Sequence, residues 1–514
     1  MQATKKHPSK YRGFAKVGLV CSGLLLGLML SLTYSAVAEK MVKPQLPLDD
    51  LRAFAEVFGK IKSDYVEPVE DKKLISEAIS GMLTGLDPHS TYMDADAFKD
   101  MQAATQGEFG GLGIEVGMED GLVKVVSPIE DSPAFAAGIK SGDLIMKLDD
   151  TPVKGLSLND AVKRMRGKPD TSIVLTVLRK NEPKPLTFTL VRAIIKNKSV
   201  KYKMTEPGYA YARVTQFQEH TGEDLAKAIK TMHDENKGPF KGFVLDLRND
   251  PGGLLNGAVG VSAAFLPKDT LVVYTEGRAA DSKMKLTVNA ENYVSSSTTS
   301  DYMRKNNLNP NNPLSYARAI ADNDYINDLP ADLKTVPMVV LINAGSASAS
   351  EIVAGALQDH KRATLIGIRS FGKGSVQTIM PMNNGAAIKL TTARYFTPKG
   401  RSIQAKGIDP DYIVDDGTDQ SYNIHEADLT GHLSNPKDPQ AGVAKKSDAP
   451  TPAKDAAKDK LNEKKYAEPV GPIEPASKED LQFAQAMNFL KGKPVVVAEP
   501  AKVEAAKVDV PAAK

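Results

Sequence analysis

The stretch Pro337–Leu357 reads PMVVLINAGSASASEIVAGAL, and it sets the fold class for the largest part of the chain. Met338–Ile342 is an uninterrupted apolar run, the pattern of a strand buried on both faces. Asn343-Ala344-Gly345 turns the chain, and the residues after the serines read as a helix. A strand followed at once by a helix belongs to layered α/β architecture. The same logic recurs nearby. KGFVLDLRND (241–250) is a second buried run ending in polar residues and Pro-Gly-Gly, while ATLIGI (363–368), SVQTIMPM (375–382) and AAIKLTTARYFT (386–397) read as later strands. Residues 200–415 are therefore expected to form one α/β domain in a multidomain chain. Between Gly277 and Pro337 lies a polar stretch rich in Asn, Ser and Asp, far beyond ordinary loop length and read as an insertion.

Upstream, residues 48–101 form a helical segment. Leu51, Phe54, Ala55 and Phe58 recur at i, i+3, i+4 and i+7, and Leu74, Ile75, Ala78, Ile79 and Met82 mark a second helix. GLDPHSTY (85–92) breaks the pattern, and His89 in it reads as a turn residue because no second ligand lies at metal spacing. Residues 105–192 alternate strands with two short helices. One helix begins at Ser157, with Asp160 three residues on as a capping-box-like start, and stops at Gly167.

The chain ends read differently. Residues 1–16 carry Lys5, Lys6, Lys10, Arg12 and Lys16 without an acid, and an apolar run then ends in Ala36-Val37-Ala38. This is the pattern of a secretory signal, residues 1–38, cleaved after Ala38; the alternative is an uncleaved membrane anchor. Cleavage changes the charge balance from 66 basic and 63 acidic residues to 61 and 63, so the formal net charge goes from +3 to −2. Non-specific nucleic-acid binding loses its support. The single cysteine, Cys21, lies in the apolar run, leaving a mature chain with no disulfide and no Cys-based metal site. No metal or cofactor is expected, and the compartment is expected to be the periplasm. Residues 416–514 are Lys/Ala/Pro/Glu-rich and read as a mostly disordered tail. One helix interrupts it at 477–491, capped by Ser477 and Asp480, with Phe483, Met487 and Leu490 on one face, and it is expected to dock.

Small residues ahead of a helix are ordinary caps, so the serine run alone proves nothing. Its position adds weight. It follows a strand end in an α/β domain, where ligands bind, and a helix N-terminus stabilises negative charge. Gly252 and Gly253 end a second strand and allow close backbone approach. A serine nucleophile needs a base, yet none of His7, His89, His220, His233, His360, His425 and His432 sits in a recognisable triad setting. Lys373, between Gly372 and Gly374, is a candidate if burial keeps it neutral; a surface lysine is the plainer alternative.

At GSASASE, FGKGSVQ, DLRNDPGG, FGGLGIEV and DSPAFAAGIKSGD the sequence resembles the PDZ-containing C-terminal processing (tail-specific) serine peptidases, over about residues 48 to 412. The resemblance implies a PDZ domain at 105–192 before a ClpP/crotonase-like peptidase core. It implies Ser348 as nucleophile, Lys373 as general base, and Gln377 as the residue orienting that lysine. Gln377 is placed on the face of Lys373 because even offsets along a strand share a face. The oxyanion is expected to be held by N–H groups of Ala349 and of Gly252 or Gly253. Ser346 and Ser350 are then structural.

In the PDZ unit, N–H groups around Gly111, Leu112, Gly113 and Ile114 are expected to cradle a terminal carboxylate. The peptide's last side chain would lie against Val162 and Met165. Arg166 reads as a contact to the peptidase or as a solvated cation. The implied activity is endoproteolysis of extracytoplasmic proteins with free C-termini, in a homo-oligomer, with an adaptor lipoprotein as a candidate partner. Two alternatives stand beside it: a non-catalytic PDZ scaffold on a peptidase fold, and a histidine-dependent protease using His360, which otherwise reads as a helix C-terminal residue.

Overall fold

The computed structural model describes residues 47–119, 121–129, 132–180, 182–196, 198–415, 424–437 and 474–496. The signal at 1–38, and most of the tail beyond 437, lie outside them. The chain divides into two compact units, Met1–Ala78 and Ile79–Lys514. In the first, helix Leu48–Asp64 starts on Asp49 and Asp50, acids placed against the helix dipole, and it buries none of its residues. Leu51, Phe54 and Ile61 form an exposed apolar stripe along it.

In the second unit, residues 114–191 build a sheet of five strands plus a two-residue ladder. Its order along the main path is Ile114–Glu119, Leu122–Pro128, Leu144–Leu148, Ser172–Leu178, Leu186–Val191, all antiparallel. Alternate residues such as Val123, Val125, Ile173, Leu175 and Val177 point to one buried core, as period-two side chains must. Helix Leu158–Met165 closes that core. Its N-cap is Ser157, whose Oγ accepts Asp160 N–H at 3.2 Å. Strand Ile114–Glu119 is an edge, paired on one side alone.

The sheet of residues 200–415 runs Val200–Glu206, Tyr209–Val214, Gly242–Asp246, Met338–Ile342, Thr364–Gly367, Tyr412–Ile413, parallel after the first pair. Its apolar runs are continuous because both faces are covered. Phe243, Leu245, Val340 and Ile342 meet helices Thr221–Asn236, Leu255–Phe265 and Ala349–Asp359. Val244, Val339, Leu341 and Ile366 meet Phe483, Ala486 and Met487 of helix Leu481–Leu490. That tail helix therefore docks on the core. It is shorter than the expected 477–491 because Asp480 is the N-cap, its carboxylate accepting Phe483 N–H at 3.0 Å.

SVQTIMPM and AAIKLTTARYFT do not join this sheet. Ser375–Pro381 pairs antiparallel with Ala387–Phe396 in a second sheet that also takes in Thr91–Met93, Leu271–Gly277 and Lys285–Thr287. The polar stretch 277–337 is structured. It contains helices Ser296–Lys305 and Pro313–Asp322, capped by Ser295 and Asn312. They bury only Thr299, Met303 and Ala319, too few apolar positions to make a readable period. Residues 424–437 also correct the expected tail, since Glu426 and Asn435 are buried against the core. Polar contacts anchor that segment, and apolar periodicity cannot report such contacts.

Candidate active site

Strands Gly242–Asp246 and Met338–Ile342 are parallel neighbours, so their C-terminal ends bring DLRNDPGG beside NAGSASAS. Two asparagines lock the ends together: Asn343 Nδ2 donates to Asn249 Oδ1 and Asn249 N–H donates to Asn343 Oδ1, both at 2.9 Å.

The three serines differ sharply. Ser346 Oγ donates to Leu247 O at 2.8 Å and Ser350 Oγ donates to Asp250 O at 3.0 Å; both residues are fully buried. Ser348 is half-buried, and it alone of the three has positive φ (55°, with ψ −111°). A non-glycine residue held there costs roughly 1–3 kcal/mol and persists only when its surroundings enforce it.

Glu351 supplies much of that enforcement. Its carboxylate is wholly buried and accepts four hydrogen bonds: Ser348 N–H (2.8 Å), Lys373 N–H (3.0 Å), Gly372 N–H (2.7 Å) and Ser370 Oγ (2.6 Å). Burial pushes its carboxyl up to about 7 against those donors. The sequence offered a signal for this residue, because Ser348-x-x-Glu351 is a capping-box spacing.

Lys373 is held by the packing of its glycines. A Cβ on Gly374 would lie 2.5 Å from Gln404 N, and one on Gly372 would lie 3.0 Å from Gly407 N. Burial, with the Lys389 charge in support, lowers the Lys373 ammonium to about 8, while Glu426, Glu351 and Asp87 oppose. Among the described residues Lys373 Nζ makes no hydrogen bond or ion pair. Tyr395, fully buried, donates its hydroxyl to Lys373 O. Nothing in the sequence singled Tyr395 out.

The strand that carries Gln377 starts only at Ser375, so Lys373 lies just before it and strand alternation does not relate the two side chains. Opposite Val376 and Gln377 the register skips Thr392, an irregularity of the partner strand. Gln377 Nε2 donates to Ser375 Oγ (3.0 Å) and Thr391 Oγ1 (3.2 Å). Thr391 Oγ1 in turn donates to Asp87 Oδ1 at 3.1 Å. His89, in its turn, bonds Glu426 Oε2 at 2.8 Å, and Glu426 Oε1 accepts from Gln404. Burial alone would raise Glu426; the His89 and Gln404 bonds hold it below the usual range.

The glycines also separate. Gly252 N–H is taken by Asp250 Oδ1 at 2.8 Å, and a Cβ on Gly252 would sit 2.8 Å from Ser348 Cβ. Among the described residues Gly253 N–H donates to no acceptor, and Ala349 opens its helix, so its N–H has none there either. Arg248 braces this loop from behind, bonding Asp246 Oδ2 at 2.6 Å and Asp480 Oδ2 at 2.7 Å. His360 Nε2 bonds Leu271 O at 2.7 Å at the far end of the serine helix, about 18 Å from Ser348 at 1.5 Å per residue.

Family models match peptidase family S41 over residues 208–414, a PDZ domain over residues 110–190, and the activating protease CtpB N-terminal domain over residues 30–97. A carboxy-terminal-processing protease of Bartonella bacilliformis is 43% identical over 439 residues, covering 84% of this chain and 91% of the relative. The chain belongs to peptidase family S41, among the carboxy-terminal processing proteases. It is a serine peptidase, which removes the non-catalytic scaffold alternative. Carboxy-terminal processing protease CtpB of Bacillus subtilis is 35% identical over 363 residues, 70% of this chain and 66% of that one. Among solved structures, a photosystem II D1 C-terminal processing protease shows 26% identity and a TM-score of 0.38 over 71% of this chain and 89% of that one.

In this processing protease the PDZ loop leaves Leu112 and Gly113 N–H groups without acceptors among the described residues, next to the edge strand that Ile114 begins. Gly113 has φ of +75°, and a Cβ there would lie 2.2 Å from Ser132 Cβ. Val162 is half-buried, but Met165 is 6% exposed and belongs to the PDZ core. The turn of the helix points Met165 inward, so Val162 alone of the pair is partly exposed. Arg166 stacks over Phe109 at 5.1 Å and lies 3.8 Å from Asp100, away from the catalytic loops.

Proposed function

We propose that Ser348 and Lys373 form a catalytic dyad that cuts extracytoplasmic proteins whose C-termini the PDZ unit captures. The observation that carries this is Ser348 itself: the one accessible hydroxyl of its run, held at positive φ at a helix N-terminus, with its backbone tied through Glu351 to that of Lys373. Neutral Lys373 takes the serine proton as Oγ attacks the scissile carbonyl, then delivers one to the leaving amine. Ala349 and Gly253 N–H groups hold the oxyanion, since Gly252 N–H is already engaged. Among the described residues Gln377 Oε1 accepts no hydrogen bond, which leaves it for Lys373 Nζ once substrate is bound. A cavity of about 530 Å³ opens beside Leu254, lined also by Phe98, Met101, Ser295 and Ile379. Through Ser295 the insertion 277–337 helps to shape access to the site.

The PDZ unit reads a terminal carboxylate with the Leu112 and Gly113 N–H groups, and the peptide adds to the edge strand. A cleaved signal places the enzyme in the periplasm. The exposed stripe of Leu51, Phe54 and Ile61 supports a homo-oligomer, and an adaptor lipoprotein remains a candidate partner. Comparing residues 39–514 with Ser348→Ala, Ser346→Ala and Ser350→Ala on an unstructured protein with a free apolar C-terminus tests the dyad. Ser348→Ala should lose activity by about 10⁴-fold or more, with the other two retaining part. An active Ser348→Ala enzyme ends this reading.

A further inference from the structure

Asp250 is a buried carboxyl for which the dyad has no use. It is fully buried, and its Oδ1 accepts Gly252 N–H at 2.8 Å. Among the described residues its Oδ2 is buried with no hydrogen-bond partner, an uncommon state for a carboxylate that calls for a physical reason. The backbone carbonyl of the same residue accepts Ala347 N–H and Ser350 Oγ, both at 3.0 Å. Asp250 therefore grips the glycine loop with its side chain and the serine turn with its main chain. Gly252 has no slack against that turn, for a Cβ on it would lie 2.6 Å from Ala347 O and 2.9 Å from Ala349 N. Any rotation of the Gly252 peptide is felt at the nucleophile and re-aims Gly253.

The charges around this carboxyl are few. From the neighbouring strand Tyr209–Val214 comes Arg213, whose Nε is likewise buried without a partner. On its own segment, Asp246 and Arg248 bind each other, with Asp480 as third member. From the serine helix, Glu351 is turned to the N–H groups of Ser348, Gly372 and Lys373.

We propose that Asp250 is a positioning residue of the oxyanion loop: as a carboxylate it fixes the Gly252 peptide so that Gly253 N–H faces the substrate carbonyl, and on protonation it slackens that hold. This rests on the Ser348–Lys373 reading for where the oxyanion forms. A hydrogen bond to a charged acceptor is about twice as strong as one to a neutral acceptor, so protonation weakens the grip without removing it. Burial pushes the Asp250 carboxyl up to about 7, against the Gly252 N–H and the Arg213 charge. The change of state thus falls close to neutral pH.

The test is the pH profile of kcat/KM from about pH 5 to 10, for wild type and Asp250→Asn, an isosteric change that keeps a neutral acceptor for Gly252. Glu351 titrates in the same range, so the diagnostic is the change caused by Asp250 alone. Activity of Asp250→Asn at high pH should be about tenfold below wild type, and the two logarithmic profiles should converge on the acid side, because only wild type has that extra tenfold step to lose. Superimposable limb shapes overturn the proposal. If Asp250→Asn does not fold, ¹³C-aspartate labelling of the Ser348→Ala protein decides: a carboxyl resonance titrating near neutrality is expected, and none doing so overturns it. An active Lys373→Arg enzyme would sink the lysine reading yet leave this comparison intact, because both enzymes share whatever base operates.

Discussion

Ser348 and Lys373, 25 residues apart in sequence, donate their backbone N–H groups to the same oxygen, Glu351 Oε2, at 2.8 and 3.0 Å. The proposed nucleophile and base are thus referenced to one buried atom. Neither loop can drift without breaking a bond to a carboxylate that water does not reach. Glu351→Gln would present an NH₂ group to N–H donors, leaving at least one buried and unpaired. That should cost about 1–3 kcal/mol of stability and about a hundredfold or more in kcat/KM. Thermal unfolding together with steady-state kinetics checks both, and an unchanged kcat would show that the clamp is dispensable.

Lysine as base fixes the direction of the pH response. With the Lys373 ammonium at about 8, kcat/KM should rise as pH increases through that value. Lys373→Arg should be inactive, because guanidinium stays charged throughout. A profile that rises only near pH 6 would point to a histidine instead.

The same shift has a stability consequence. The folded-state value is below the ordinary 10.5, so the unfolded chain binds more protons between about 8 and 10.5 and stability rises with pH there. The contribution is fully present above about 10.5 and lost as pH falls through about 8. Lys373→Met should therefore unfold at higher denaturant than wild type at pH 7, by about 1–2 kcal/mol after allowing for partial solvent screening. The gain should vanish toward pH 10.5. Equal stabilities at pH 7 would mean that Lys373 is not held against its charge.

Asp480 reaches from the tail helix to Arg248 at 2.7 Å, so the tail braces the loop that carries Gly252 and Gly253. Asp480→Ala should destabilise by about 3 kcal/mol, the scale for removing one partner of a buried ion pair. Denaturant titration measures it. A neutral result would make the tail helix an ornament on the sheet. Phe483, Ala486 and Met487 are spent within the chain, as the apolar stripe of a docking helix requires, and so are not offered for self-association. The face on Leu48–Asp64 remains: Phe54→Asp should lower the sedimentation coefficient, and a wild type that is monomeric at high concentration ends the idea.

Amidating a substrate's C-terminus should raise KM with little change in kcat, because the Leu112 and Gly113 N–H groups lose a charged acceptor remote from the chemistry. Equal KM values for acid and amide would leave the PDZ unit without a carboxylate-reading role.

The sequence by itself determined the fold class and the chemistry-bearing segments. Apolar runs such as Met338–Ile342 and period-two strands such as Ser172–Leu178 are local patterns, and glycines at 252, 253, 372 and 374 mark close backbone approach wherever they occur. Tertiary structure decided what depends on contacts far apart in the chain. A serine run cannot show that Ser346 and Ser350 are bonded to the Leu247 and Asp250 carbonyls; only that pairing leaves Ser348 as the free hydroxyl. Nor can spacing reveal the bond from Gln377 to Thr391 on the partner strand, or the bonds that bury Glu426 against His89 and Gln404. Each of these is a polar bond whose partner lies on another element, and polar bonds leave no periodicity behind.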